Sequence, residues 1–246
     1  MVVASRATRV LLGSGGISTD RRRELYRELV GDHFSECDEV LFIPYASDDH
    51  PGYSKRMRGF LWGEGGPSLV GIEEKGDPLS AVLNSEAIYV GGGNSFLLIR
   101  ELHRTGLVEA ISKRVSEGAP YLGVSAGANV ASPTMMTTND MPIAHPPSFD
   151  SMGVVPFQIN PHYHPGKIRF MDGDELREHY GESRGQRISE YHKQSPTPVL
   201  GMWEGSFVKW DGSIGTLFGR ATSFRAGEAP TNLHDGALFD GELLAR

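Results

Sequence analysis

The stretch Tyr121-Leu122-Gly123-Val124-Ser125-Ala126-Gly127-Ala128-Asn129-Val130-Ala131 decides how this sequence is read. It opens as a short buried-type strand, passes through G-x-S-x-G and continues in small residues that can begin a helix. A strand-to-helix turn of this kind strains its central residue, and flanking glycines remove the Cβ clashes. Ser125 would then raise its hydroxyl above a sheet edge, at a helix N-terminus whose free N–H groups can stabilise an oxyanion. The bare pattern is a weak signal in a chain with 31 glycines, and its plain alternative is a serine that caps a helix. The strand before it and the small-residue segment after it favour the nucleophile.

Upstream, strand-like and helix-like segments alternate. Thr8–Leu12 runs into Gly13-Ser14-Gly15-Gly16, and Thr19 or Asp20 can cap a following helix with Leu25, Tyr26, Leu29 and Val30 at helical spacing. Val40–Ile43 is a second strand, stopped by Pro44; Leu69–Ile72 follows an aromatic, Gly-rich stretch with Phe60 and Trp62. Ala87–Val90 ends in Gly91-Gly92-Gly93-Asn94, and helical patterns cover Phe96–His103 and Leu107–Glu117. Continuous apolar strands separated by helices predict a mostly parallel sheet covered on both faces, with its functional loops at the strand C-terminal ends.

Downstream the pattern changes. Met135–Gly153 has no periodicity and reads as ordered loops; Phe157–Ile159 is strand-like and runs into Asn160-Pro161-His162. Residues 165–182 form a polar insertion, Gln186–Lys193 a helix. Val199–Trp203, Ser206–Trp210 and Ile214–Phe218 read as short antiparallel strands joined at Gly205 and Asp211-Gly212. Without repeat, heptad or linker, residues 1–246 are expected to form one domain.

Composition removes several classes of function. Lys+Arg total 24 against 31 Asp+Glu, a net charge of −7, which argues against a nucleic-acid partner. The single cysteine, Cys37, cannot form an internal disulfide; it suits a reducing compartment and reads as a small buried hydrophobe near a helix end. Arg6 and Arg9 interrupt the N-terminal apolar stretch, and no window approaches ~18 uninterrupted apolar residues, so neither a secretory signal nor a membrane span is expected.

A serine hydroxyl needs a base. Of nine histidines, His162 is best placed, after a strand end where its side chain can reach across a cleft; His145 and His164 are weaker candidates, and the rest read as surface residues. His162 and His164 form H-x-H, but a metal site would need a third ligand, and the nearest acids (Asp172, Asp174, Glu175) lie in the polar insertion. The base in turn needs an acid: Asp140 lies between nucleophile and base in sequence, and Glu204 is its rival. Gly92 and Gly93 can supply one oxyanion donor and the Ala126 amide the other. No G-K-[ST] follows that loop, which excludes a P-loop, and Gly13–Gly16 lacks the full dinucleotide spacing.

The segments YVGGGNSF (89–96), GVSAGANVA (123–131), TTNDMPI (137–143), FQINPHY (157–163) and ESRGQRI (182–188) together resemble the peptidase E family of α-aspartyl dipeptidases, in the family's order and over residues 8 to about 227. The resemblance implies a flavodoxin-like fold related to class I glutamine amidotransferases, with serine in place of their cysteine. It implies a cytoplasmic enzyme that cleaves dipeptides with an N-terminal aspartate without metal. No cofactor is expected, and the chain is expected to be a monomer or homodimer. The triad it implies is Ser125, Asp140 and His162, with Glu204 as the alternative third member. It also points to Arg184 as the cation for the aspartyl carboxylate and to Asn94 as a substrate-positioning residue. Residues 165–182 are longer than the family pattern, and Gly185 stands where a bulkier polar residue is common. Other readings are a cyanophycinase-like hydrolase of aspartate-arginine polymer and a non-catalytic relative that binds aspartyl compounds. An α/β-hydrolase esterase shares G-x-S-x-G, but an acid only 15 residues after the nucleophile suits it poorly.

Overall fold

A computed structural model describes residues 8–61, 66–179 and 183–246. Arg6, Trp62 and Glu182, named above, lie outside the described residues. In chain order the elements are β1 (Val10–Gly13), α1 (Asp20–His33), β2 (Glu39–Ile43), α2 (His50–Phe60), β3 (Ser68–Gly71), α3 (Pro78–Leu83), β4 (Ala87–Val90), α4 (Ser95–Arg104), α5 (Leu107–Ser116), β5 (Tyr121–Val124) and α6 (Ala126–Asn129). There follow β6 (Gln158–Tyr163), β7 (Arg169–Asp172), β8 (Glu175–Glu178), α7 (Arg184–Tyr191), β9 (Val199–Trp203), β10 (Phe207–Trp210), β11 (Gly215–Phe218), β12 (Ala221–Phe224), β13 (Thr231–Leu233) and β14 (Leu238–Phe239).

The main sheet has the order β14-β11-β10-β1-β5-β4-β2-β3, with β1 to β5 parallel and β10, β11 and β14 added antiparallel at the β1 edge. This is the expected mostly parallel α/β architecture. Strands β2 to β5 follow the flavodoxin order, and β1 takes the place beyond β5. Alternate side chains enter two cores. Leu11, Phe42, Tyr89 and Leu122 meet α1 and α2, while Leu12, Leu41, Ile43 and Val90 meet α3 to α6. Cys37 packs partly buried beside the first of these cores, and burial pushes its thiol pKa up.

A second sheet, β13-β12-β9-β6, lies over the α4–α6 side, its inner residues Ile159, Leu200 and Met202 continuing that core. Here the sequence expectation needs correcting: β9 and β10 do not pair. Strand β9 runs parallel to β6 and antiparallel to β12, and at Glu204-Gly205 the chain crosses from one sheet to the other. Val199, Leu200, Gly201 and Met202 are all buried, as a strand covered on both faces must be, and a hairpin with β10 would leave one face open. Two further helices, α2 and α3, stand where no helix is expected above. Asp49 caps α2 and Asp77 caps α3, each with proline in the first turn, a start signal present in the sequence. Within the 165–182 insertion, β7 and β8 form a hairpin whose eight strand residues are all exposed.

No helix among the described residues is long and apolar enough to cross a membrane.

Candidate active site

The carboxyl ends of β1, β4 and β5 converge, as ligand sites in open α/β sheets do. Ser125 follows β5 directly at φ 56° and ψ −111°, and α6 starts at the next residue. The strain is held by close backbone packing: a Cβ on Gly123 would overlap the Gly127 carbonyl, and one on Gly127 the Val90 carbonyl.

His162 comes from the second sheet. Asn160 pairs with Gly201 and Tyr163 with Trp203, so Pro161 and His162 together oppose Met202 in a β-bulge. Pro161 has no N–H to lose from the ladder, and His162 takes φ 54°. The bulge turns the imidazole toward β5, where Nε2 lies 2.9 Å from Ser125 Oγ. Its other nitrogen, Nδ1, is 2.5 Å from Glu204 Oε2 at the corner between the sheets. Glu204 fixes Nδ1 as the protonated nitrogen, leaving Nε2 free to accept the serine proton.

Both ring nitrogens are therefore occupied, and Asp140 is on neither. Its Oδ2 accepts from the Ser95 amide and the Ser95 hydroxyl, each at 2.7 Å. Asp140 thus closes the N-terminus of α4, directly after Gly91–Asn94. Residues 137–140 form a strap between the two sides of the site: Asn139 Nδ2 donates to the Pro161 carbonyl, and Asn160 Nδ2 donates to the Thr137 carbonyl and Asn139 Oδ1.

The glycine loop also departs in part from expectation. The Gly92 amide donates to Tyr53 Oη at 2.9 Å, so it is not free to meet an oxyanion. The amides of Gly93 and Ala126 have no protein acceptor among the described residues. Gly93 takes φ 137°, and a Cβ there would overlap the Ala46 carbonyl, which keeps this position glycine. Asn94 caps α4 through Oδ1, accepting from Phe96 and Leu97, and its Nδ2 donates to the Met141 carbonyl. These bonds hold the loop to the strap and leave the side chain little to offer a substrate.

Arg184 opens α7, and its Nε and Nη1 are buried without a hydrogen-bond partner among the described residues. Burial lowers the guanidinium pKa and neighbouring Arg187 adds to that, while Glu204 and Asp140 pull it back up. A half-buried cation with buried, unused donors, within electrostatic reach of the acid beside His162, is suited to receive a carboxylate. His164 is exposed, and among the described residues no three His, Cys, Asp or Glu side chains gather as a metal site.

Residues 10–217 match peptidase family S51. A peptidase E of Streptomyces coelicolor is 47% identical over 80% of this chain and 79% of its own length. A probable alpha-aspartyl dipeptidase of Drosophila melanogaster is 39% identical over 88% of each chain. The chain belongs to peptidase family S51. A solved peptidase from an acI-B1 Actinobacterium has the same fold, with a TM-score of 0.63 over 95% of this chain and 97% of its own, at 18% identity.

As an S51 member the protein is a serine-type peptidase. The glycine turns and the histidine are legible in the sequence; the service of Tyr53, whose partner lies 39 residues away, is not. Only the capped start of α2 at Asp49 could have drawn attention to that helix.

Proposed function

We propose that this S51 peptidase is an α-aspartyl dipeptidase that hydrolyses Asp-Xaa through an acyl-enzyme, using Ser125, His162 and Glu204. The observation that carries this reading is the continuous hydrogen-bonded chain from Ser125 Oγ through His162 to Glu204 at a strained strand-to-helix turn. The name of the relative at 39% identity, a probable alpha-aspartyl dipeptidase, supplies the substrate class.

In this mechanism Ser125 Oγ attacks the carbonyl carbon of the N-terminal aspartyl residue while His162 Nε2 takes its proton. The Ala126 and Gly93 amides receive the oxyanion. Glu204 stabilises the imidazolium, which protonates the leaving amine as the C–N bond breaks. Water then loses a proton to His162 and attacks the ester, and the returned proton frees Ser125 and aspartate. Arg184 receives the side-chain carboxylate of the substrate, a role its unused buried donors support. A cytoplasmic location, in keeping with the single cysteine, is part of the proposal.

The test is release of free aspartate from Asp-Leu, with Glu-Leu and β-Asp-Leu as controls. Turnover of Asp-Leu alone, falling by roughly 10⁴-fold or more in Ser125→Ala, is the expected result. Equal turnover in that variant would refute the serine mechanism, and no turnover of any of the three by the wild type would refute the dipeptidase reading.

A further inference from the structure

The turn Gly13-Ser14-Gly15-Gly16 stood out in the sequence, and the proposed reaction does not use it. Its surroundings give it a function. The Ser14 side chain is fully buried, and its hydroxyl accepts from the His162 amide at 2.8 Å while donating to the Met202 carbonyl at 3.0 Å. One side chain thus hooks the strained backbone of His162 and the strand residue two positions before Glu204. A hydroxyl can both donate and accept within one small volume, which alanine cannot do. The Ser14 amide donates to Ser206 on the far side of the corner, 2.9 Å away.

The two glycines that follow lie directly against the pair. Gly15 takes φ 98°, and a Cβ there would stand 2.8 Å from His162 Cε1. Gly16 takes φ 80°, and its Cβ would fall on the Glu204 side chain, 2.5 Å from Cδ. The Gly15 carbonyl accepts from the Gly205 amide at 2.8 Å, tying the turn to the residue after Glu204. A non-glycine residue at φ 54°, as His162 is, persists only where its neighbours over-determine it. Those neighbours are this turn and the 137–140 strap.

We propose that Ser14, Gly15 and Gly16 are positioning residues that mould the His162–Glu204 pair: Ser14 sets the imidazole backbone, and Gly16 leaves the room in which the carboxylate meets Nδ1. The inference rests on the Ser125–His162–Glu204 reading above.

The test reads the rate at which a serine-directed fluorophosphonate labels Ser125, as a function of pH, in wild type, Gly16→Ala, Glu204→Ala, the double variant and Ser14→Ala. This rate reports nucleophile activation whatever peptide is cleaved. Gly16→Ala should lower labelling by about 30-fold or more and move the acidic limb of the pH profile to lower pH, because a displaced carboxylate no longer supports the imidazolium. In the Glu204→Ala background the same methyl has nothing to displace and should change the rate less than about threefold. A loss of packing alone would scale the rate without moving the limb. Ser14→Ala adds no atoms and no strained Cβ, and it should lose about tenfold with the same shift. If Gly16→Ala does not fold, that variant carries the test. Gly16→Ala losses that multiply with those of Glu204→Ala, or Ser14→Ala with an unmoved profile, would overturn the inference. Glu204→Ala labelling at the wild-type rate would overturn the triad reading first, and the inference with it.

Discussion

Two glycine-rich turns flank Ser125 on either side of β5, one leaving β1 and the other leaving β4. In sequence they are near twins: Gly13-Ser14-Gly15-Gly16 and Gly91-Gly92-Gly93-Asn94. In the fold their glycines make room for different things. At Gly15 and Gly16 the close neighbours are the ends of side chains, the His162 ring and the Glu204 carboxylate. At Gly93 the close neighbour is backbone, the Ala46 carbonyl. In the proposed mechanism the first turn shapes the proton-handling side of the site, and the second fixes the amides that would face an oxyanion. Glycine content marks where the chain is crowded, and the identity of the crowding group decides what the crowding does.

The two acids give the sharpest way to break this comparison. Glu204 belongs to the first turn's side and Asp140 to the second's, so their loss should differ in kind. Glu204→Gln should lower kcat by about 10⁴-fold with KM little changed, since His162 loses its tautomer and the support of its charge. Asp140→Asn should lower kcat by only about 10- to 100-fold, because it loosens Ser95 and the oxyanion loop and leaves the imidazole in place. Steady-state kinetics on Asp-Leu decide between them. A larger loss at Asp140 would restore it as the partner of the base.

Crowding by backbone and by side chain should also separate in stability. Gly93→Ala forces φ 137° on an L-residue and drives a methyl into a carbonyl that cannot move far, so urea unfolding should show a loss above about 2 kcal/mol. Gly16→Ala should lose less stability than that, because a Glu204 side chain can swing aside. Equal losses would erase the distinction between the turns.

Tyr53→Phe probes the second turn from behind. It removes the acceptor of the Gly92 amide, and leaving that donor unmet should reduce stability by about 1–2 kcal/mol and kcat by about tenfold. The smallest effect is expected where nothing is crowded. Replacing residues 169–178 of the exposed hairpin by a short Gly-Ser link should change unfolding free energy by less than about 0.5 kcal/mol, as exposed positions without buried partners do.

Much of the molecule was legible because local pattern reports it directly. Apolar runs at β1, β2, β4 and β5 predicted a buried parallel sheet, and the turn after β5 presented Ser125 as its motif indicated. Met135–Gly153 lacks periodicity and is ordered loop, tied down by side-chain bonds such as Thr137 Oγ1 to the Ile159 carbonyl at 2.7 Å. The antiparallel partnership of β9 was misread because a strand buried on both faces carries no alternation to say which neighbour it takes. The hairpin β7–β8 was a polar insertion and no more, since exposed strands have no apolar face to set their period.

By itself the sequence determined the class of sheet, the strand-to-helix turn at Ser125, the histidine that would face it and the short list of acids that could stand behind that histidine. Such features rest on residue type and near neighbours along the chain. Only the tertiary structure shows which acid meets the histidine. Asp140 is 22 residues from His162 along the chain and Glu204 is 42, yet the more distant one is bonded to it. The reason is the β-bulge at Pro161-His162 and the corner at Glu204-Gly205, which bring the ends of β6 and β9 together beside the turn from β1. Contacts of that kind are made by whole strands in register, and no local pattern encodes them.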